Sequence, residues 1–185
     1  MGEPDDESDI ILRSQSGDQD AFAKLVRAYQ PMILSLTFRM TGSLAESKDL
    51  AQETFVRAFE RLESYRATAR FSSWLYRIAM NACLDWRRSE ERRNRLHTAW
   101  SQSAQDGQEN ANDGARLDTL SAQVQAALLK LPEPQRAAMV LTVYRECSHA
   151  EAAEILGCSE ATISWRVFSA RRKLKKLLAH WEGRA

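Results

Sequence analysis

Residues 148–178 constrain the fold more than any other stretch of this chain. Ser148 and Glu151 form a Ser-x-x-Glu capping box, which starts a helix. Gly157 suits the left-handed residue that ends it, and Ser159 suits the N-cap of a second helix. Ile163, Val167, Ala170, Leu174 and Leu177 then recur at helical spacing and predict one buried stripe. Trp165, Phe168, Ser169, Arg172 and Lys176 fall on the opposite face, and Arg166, Arg171, Lys173 and Lys175 fill the flanks. No acid occurs between Arg166 and Lys176. A helix, a tight turn and a basic helix make the layout of helix-turn-helix DNA readers. A merely solvated basic face has no use for Trp165 and Phe168, because exposed aromatics serve interfaces. Its cations can neutralise phosphates, and side chains near its N-terminus can reach base edges.

The remainder of the sequence is also helical in pattern. No convincing period-two strand occurs, and Gly and Pro are scarce. The reading is therefore all-α: two small helical domains joined by a flexible linker. Residues 1–8 read as a disordered acidic tail, 9–95 as the first domain and 117–185 as the second. Residues 96–116 are rich in Gln, Ser, Asn, Asp, Ala and Gly without periodicity, which is linker composition. The net charge of +1 hides a segregation of acids near the N-terminus from bases in both domains. Separated basic segments in a near-neutral chain suit nucleic-acid contact by patches.

No apolar run is long enough to span a bilayer and no signal peptide is visible, so the expected location is cytoplasmic, with no membrane insertion. Three separated cysteines, Cys83, Cys147 and Cys158, fit reduced thiols. A zinc site from Cys147, His149 and Cys158 matches no standard spacing, so neither metal nor cofactor is expected. Nucleophile–base sets and phosphate loops are absent. The chain thus reads as a protein that acts by binding, not as an enzyme, with no catalytic residue to name.

Two helices of the first domain carry further information. One starts at the capping box Ser43–Glu46 and runs to about Glu63. Its expected core face is Leu50, Ala51, Thr54, Phe55, Ala58, Phe59 and Leu62. Its opposite face presents Asp49, Gln52, Glu53, Val56 and Glu60, an acidic strip suited to a basic protein partner. The other helix runs from near Ser72 to about Arg93, with Leu75, Ile78, Ala79, Ala82 and Trp86 buried. Trp74, Arg77, Asn81, Leu84 and Arg88 share an adjacent face. Aromatic, Arg and Asn side chains together stack on unpaired bases, bond their edges and hold phosphates; a plain core role for Trp74 is the competing reading. The basic and aromatic stretch from Tyr65 to Phe71 reads as a loop able to add contacts.

Asp49-Leu-Ala-Gln-Glu-Thr-Phe-Val-Arg-Ala-Phe59 and Phe71-Ser-Ser-Trp-Leu-Tyr-Arg-Ile-Ala-Met-Asn81 resemble region two of bacterial sigma factors. Leu131-Pro-Glu-Pro-Gln-Arg136 and the helix-turn-helix resemble region four. The short length is similar to that of the extracytoplasmic-function group. The resemblance implies a factor that binds core RNA polymerase, directs it to promoter DNA and helps open the duplex. It implies that Asp49, Gln52, Glu53 and Val56 dock on the polymerase. Trp74, Arg77, Asn81 and Arg88 would engage the −10 element, where a base is extruded from the stack. Thr162, Ser164, Trp165, Arg166, Phe168, Ser169, Arg172 and Lys176 would serve the −35 element. It also implies an anti-sigma partner. Ser164, Trp165 and Ser169 stand where many members carry a basic or small residue, which leaves the −35 sequence open. Asp85, on the strand-opening side, is expected to pair with Arg88 or Arg77. A stand-alone helix-turn-helix regulator, the alternative, would need a symmetric dimer surface, and a protein adaptor would need no DNA; both leave part of this pattern unused.

Overall fold

A computed structural model of the chain describes the backbone of residues 6–100 and 119–182 and, within them, the side chains of 6–95 and 121–179. Its regular elements are all helical. They are α1 (Glu7–Gln15), α2 (Gln19–Thr41), α3 (Leu44–Arg61), a 3-10 turn (Leu62–Ser64), α4 (Phe71–Trp100), α5 (Thr119–Leu129), α6 (Glu133–Met139), a π-helical turn (Val140–Tyr144), α7 (His149–Leu156) and α8 (Glu160–Glu182).

The caps follow side-chain chemistry. Asp18 accepts from the Ala21 N–H at the start of α2, and Gly42 ends that helix in the left-handed conformation at φ 77°. Both halves of the capping box expected at α7 form: Ser148 Oγ accepts from the Glu151 N–H, and Glu151 Oε2 accepts from the Ser148 N–H. Gly157 ends α7 at φ 61°, and Ser159 Oγ accepts from the Thr162 N–H at the start of α8. At α3 only half of the expected box is made. Ser43 Oγ accepts from the Glu46 N–H, but the Ser43 N–H goes to Thr41 Oγ1 instead of to Glu46.

Two boundaries differ from expectation. Helix α1 begins at Glu7, inside the segment expected to be a disordered tail, and its first turn carries Glu7 and Asp9 at the positive end of the helix dipole. Helix α4 continues through Trp100, past Arg93 and into the segment assigned to the linker. A pair one turn apart, Arg95 with Glu91 at 4.0 Å, lies across the expected end. Residues 1–5 of the expected tail and 101–116 of the expected linker lie outside the described residues.

In the N-terminal group, Ile33 and Leu36 of α2, Leu50, Thr54 and Ala58 of α3, and Leu75, Ala79 and Met80 of α4 are buried. The α4 stripe is wider than the five positions expected, since Tyr76, Met80 and Cys83 are buried too, while Trp86 is only half-buried. Phe59, expected in the core, is 48% exposed and meets Phe22 edge-on at 5.0 Å. In the C-terminal group, Leu128, Ala138, Val140 and Leu141 pack with Ile163, Val167 and Ala170 of α8, whereas Leu174 and Leu177 are half-buried.

The two groups pack against each other, and buried apolar residues run continuously across both. Several of their polar contacts lie on the second half of α2, and one more joins α4 to α7 through Arg77 and Glu154. Gln125 Nε2 donates to the Phe38 carbonyl at 3.1 Å and Arg136 Nη1 to the Met40 carbonyl at 2.6 Å. Arg145 Nη2 donates to Ser35 Oγ at 3.1 Å, and the Arg39 guanidinium lies 3.7 Å from the centre of the Tyr144 ring. Phe38, Arg39 and Met40 are in the last turn of α2; the Phe38 carbonyl also accepts from the Gly42 N–H, whereas carbonyls beyond it lack a helical donor. The C-terminal group thus caps the end of α2.

Candidate protein and nucleic-acid interfaces

Helix α3 is amphipathic because its apolar residues return every three or four positions, and this fixes which side chains face outward. Asp49, Gln52 and Val56 are exposed, Val56 by 51%. Glu53 is half-buried and paired with Arg57 one turn on, so its carboxylate is partly neutralised. Beside this strip α2 and α3 leave an apolar groove of about 1010 Å³, lined by Phe22, Val26, Leu34, Phe55, Val56 and Phe59 among others, with Gln52 on its rim. The sequence reading missed the α2 wall of this groove. The signal was present: Phe22, Val26 and Leu34 repeat at multiples of four, a second apolar ridge beside the buried Leu25, Ile33 and Leu36.

The second surface is the start of α4 with the loop before it. Arg77, Asn81 and Arg88 are exposed along one side of the helix. Trp74 is half-buried, its ring 5.4 Å from those of Tyr65 and Phe71. It therefore belongs partly to an aromatic cluster while keeping an open edge, which lies between the two readings given for it. Asp85 pairs with Arg88 at 3.2 Å and also approaches Arg57 at 3.8 Å, not Arg77. Arg77 instead lies 4.0 Å from Glu154 of α7. Residues 66–70 of the loop are exposed and carry Arg66, Thr68 and Arg70. They arch over Tyr65, whose buried hydroxyl donates to the Ala69 carbonyl at 2.8 Å.

The third surface is α8. Trp165, Phe168, Arg172 and Lys176 form one exposed line, with Trp165 62% and Phe168 60% exposed. The Arg172 guanidinium is 5.8 Å from the centre of the Phe168 ring, within cation–π reach. Ser164 is exposed and shares a 2.9 Å hydrogen bond with His149 Nδ1. The other three expected residues are less free. Thr162 is held by Ser159 Oγ. Arg166 is half-buried, with Nη1 3.5 Å from Cys158 Sγ. Ser169 is half-buried and accepts from Gln135 Nε2 of α6 at 3.1 Å, so it orients the helix as much as it faces outward.

Among the described residues no cluster of His, Cys, Asp and Glu is arranged to hold a metal ion. Burial pushes the Cys83 thiol up to about 12 and the Cys147 thiol up to about 11, which keeps both protonated and unreactive at neutral pH.

Residues 25–93 match the Sigma-70 region 2 family and residues 121–174 the Sigma-70 region 4 family, one in each helical group. The chain is 36% identical over 177 residues to the ECF RNA polymerase sigma factor SigW of Bacillus subtilis, covering 91% of this chain and 94% of that one. It is 34% identical to the ECF RNA polymerase sigma factor SigM of Mycobacterium tuberculosis strain H37Rv, covering 94% and 85%. Among solved structures, CnrH in complex with the cytosolic domain of CnrY is similar at a TM-score of 0.68 and 27% identity, covering 96% of this chain and 99% of that one. RpoE of Bartonella quintana shares the fold at a TM-score of 0.67 and 23% identity, covering 85% and 96%. Two family matches in order, with full-length relatives above 30% identity, place this chain in the extracytoplasmic-function group of RNA polymerase sigma factors.

Proposed function

We propose that this sigma factor divides its work among the three surfaces, with residues 9–95 and 117–185 acting as the two working units. Asp49, Gln52, Glu53 and Val56, with the apolar groove beside them, dock on core RNA polymerase. Trp74, Arg77, Asn81 and Arg88 engage the −10 element, and the loop 65–71 takes an extruded base. The line Trp165, Phe168, Arg172 and Lys176, with Thr162, Ser164, Arg166 and Ser169 around it, serves the −35 element. The observation that carries this reading is chemical segregation: an acidic and apolar face on α3, an aromatic and basic face on α4 and a basic recognition helix on α8.

The factor supplies binding energy and the polymerase supplies the chemistry. Phosphate contacts by Arg and Lys fix the register, and groups that reach bases set the sequence. Unstacking a base costs about a few kcal/mol, which contacts made only to the opened strand offset. Distance adds a requirement. Elements 25 base pairs apart are separated by about 85 Å of duplex at 3.4 Å per pair. A compact chain of this length has a radius of gyration of only about 16 Å. The two groups therefore part before both elements are bound, and the polar segment between them is the tether.

The described helices include none long and apolar enough to cross a membrane, and we assign the factor to the cytoplasm, where its polymerase works. The CnrH structure contains the cytosolic domain of CnrY and the RpoE structure the anti-sigma factor NepR; we assign an anti-sigma factor to this chain, held against the same surfaces that polymerase and promoter use. The test is run-off transcription with bacterial core polymerase on a pool of genomic promoter fragments. New discrete transcripts with shared upstream elements are expected. Duplex binding by a dimer without any effect on core polymerase would instead support a stand-alone regulator.

A further inference from the structure

The loop assigned to the extruded base is anchored from outside the region 2 match. Gln15 is the last residue of α1, whereas that match begins at residue 25. Its Nε2 donates to the Leu62 carbonyl at 2.9 Å and to the Tyr65 carbonyl at 3.0 Å. Both protons of the amide are thus used on the two ends of the turn that leads into the loop. The Tyr65 N–H donates to the same Leu62 carbonyl at 3.0 Å. From there Tyr65 is fixed on its other side by the Phe71 ring, edge-on at 5.2 Å, and by its hydroxyl on the Ala69 carbonyl. Arg66 Nη1 also returns to the Glu63 carbonyl at 2.6 Å. Tyr65 is thus held from both sides, and residues 66–70, tied back to it at the Ala69 carbonyl, are exposed. Arg66, Ala67 and Arg70 of the loop line a groove of about 600 Å³ together with Leu12 and Gln15 of α1.

We propose that Gln15 is a positioning residue for promoter opening: it holds the entry of loop 65–71 so that the loop meets an unstacked base in one conformation. This rests on the −10 assignment made above. The chemistry requires an amide. A carboxylate has the same size but faces two carbonyl oxygens with no proton to give, and a leucine leaves both carbonyls without their donor. A loop free to sample several conformations binds a base only in the fraction that is competent. The loss then appears in the step that captures the base and in the choice among bases.

The test compares the full chain, Gln15→Leu and Gln15→Glu, each with core polymerase. Opening is read by 2-aminopurine fluorescence at the −10 element, and base preference on forked templates carrying each of the four bases at the extruded position. Both variants are expected to open the duplex about tenfold more slowly, the order that two lost hydrogen bonds would give. Preference among the four bases should flatten. Binding to a −35 duplex and to core polymerase should stay within about twofold of the parent, since loss of folded protein alone would lower every signal together. An unchanged ratio among the bases in both variants overturns the proposal. Arg66→Ala with Arg70→Ala, run in parallel, separates the two levels. If that pair alters base preference and the Gln15 variants do not, only the positioning role fails. If neither alters it, the −10 reading of the loop fails and takes the positioning role with it.

Discussion

The seam between α2 and α3 and the seam between the two helical groups both use the same helix, α2, yet they are built differently. At the first, Ile33 and Leu36 meet Leu50 and Thr54, and Thr37 Oγ1 donates to the buried Ser47 carbonyl at 2.9 Å. Opening it would expose apolar surface along the length of both helices and separate Thr37 Oγ1, which also reaches the Ile33 and Leu34 carbonyls of its own helix, from Ser47. At the second, apolar contact is accompanied by long polar side chains of the C-terminal group reaching the last-turn carbonyls of α2. Water can take over carbonyls at a helix end with little net loss, because a hydrogen bond exchanged with solvent contributes only about 1 kcal/mol. The difference fits the proposal that the first seam defines a fold and the second opens and closes. A factor whose two promoter elements lie farther apart than its compact body reaches needs one seam of each kind.

Arg136 is where this contrast is sharpest, and it gives the largest expected effect. It is buried, and burial lowers its guanidinium from the usual range. It donates to Leu128, Leu129 and Leu131 in its own group and to Met40 in the other. Three of the four acceptors therefore stay with it when the groups part. Arg136→Met removes the guanidinium from the Leu129 and Leu131 carbonyls, Leu128 keeping the Leu131 N–H, and is expected to lower the stability of the C-terminal group by about 3 kcal/mol. Urea melts followed by hydrogen exchange would show α5 to α8 losing protection while α2 to α4 keep theirs. Uniform loss in both groups would mean that Arg136 belongs to the seam between them.

The next effect is smaller and tests the seam itself. Gln125→Leu with Arg145→Ala removes contacts to Phe38, Ser35 and Met32 and leaves each group's own packing in place. A loss of about 1–2 kcal/mol is expected, and it should appear as expansion instead of unfolding. Small-angle scattering would report a radius of gyration above the roughly 16 Å of the compact chain, with the far-ultraviolet circular dichroism unchanged. Falling helix content at the same temperature would show that the seam supports the groups it joins.

What could be read beforehand follows the same division. The helices, the boxes at Ser148 and the turn at Gly157 and Ser159 are local, set by residues three or four apart, and so they are visible in sequence. The exposed line on α8 and the acidic strip on α3 are periodicities of one helix. The groove was only half legible, because α3 declares Val56 but a groove needs the α2 ridge of Phe22, Val26 and Leu34 beside it. Phe59 was misplaced for the same reason: helical spacing gives a face, and only the neighbouring helix decides how far that face is covered. Least legible were the bonds of Gln15 to Leu62, Gln125 to Phe38 and Arg136 to Met40, which span 47, 87 and 96 residues. Polar side chains that cap a distant helix or turn leave no periodic trace.

The smallest effect concerns a local feature and therefore isolates one group from the other. The Ser148 N–H and hydroxyl both hold the Glu151 carboxylate below its usual range, the backbone bond first. A carboxyl depressed in the folded state contributes stability above its unfolded pKa and loses it as the pH falls through its folded pKa. Glu151→Ala should therefore cost the C-terminal group about 1 kcal/mol or less at neutral pH, and the difference from the parent should shrink in the acidic range. Gln in place of Glu can still complete a capping box, so Glu151→Gln should keep part of the stability while losing its pH dependence. Thermal melts between neutral and acidic pH, with exchange protection of α7 followed separately from that of α3, provide the measurement. If the α3 signal moves with that of α7, the seam transmits stability between the groups and is not the separable junction that its chemistry describes.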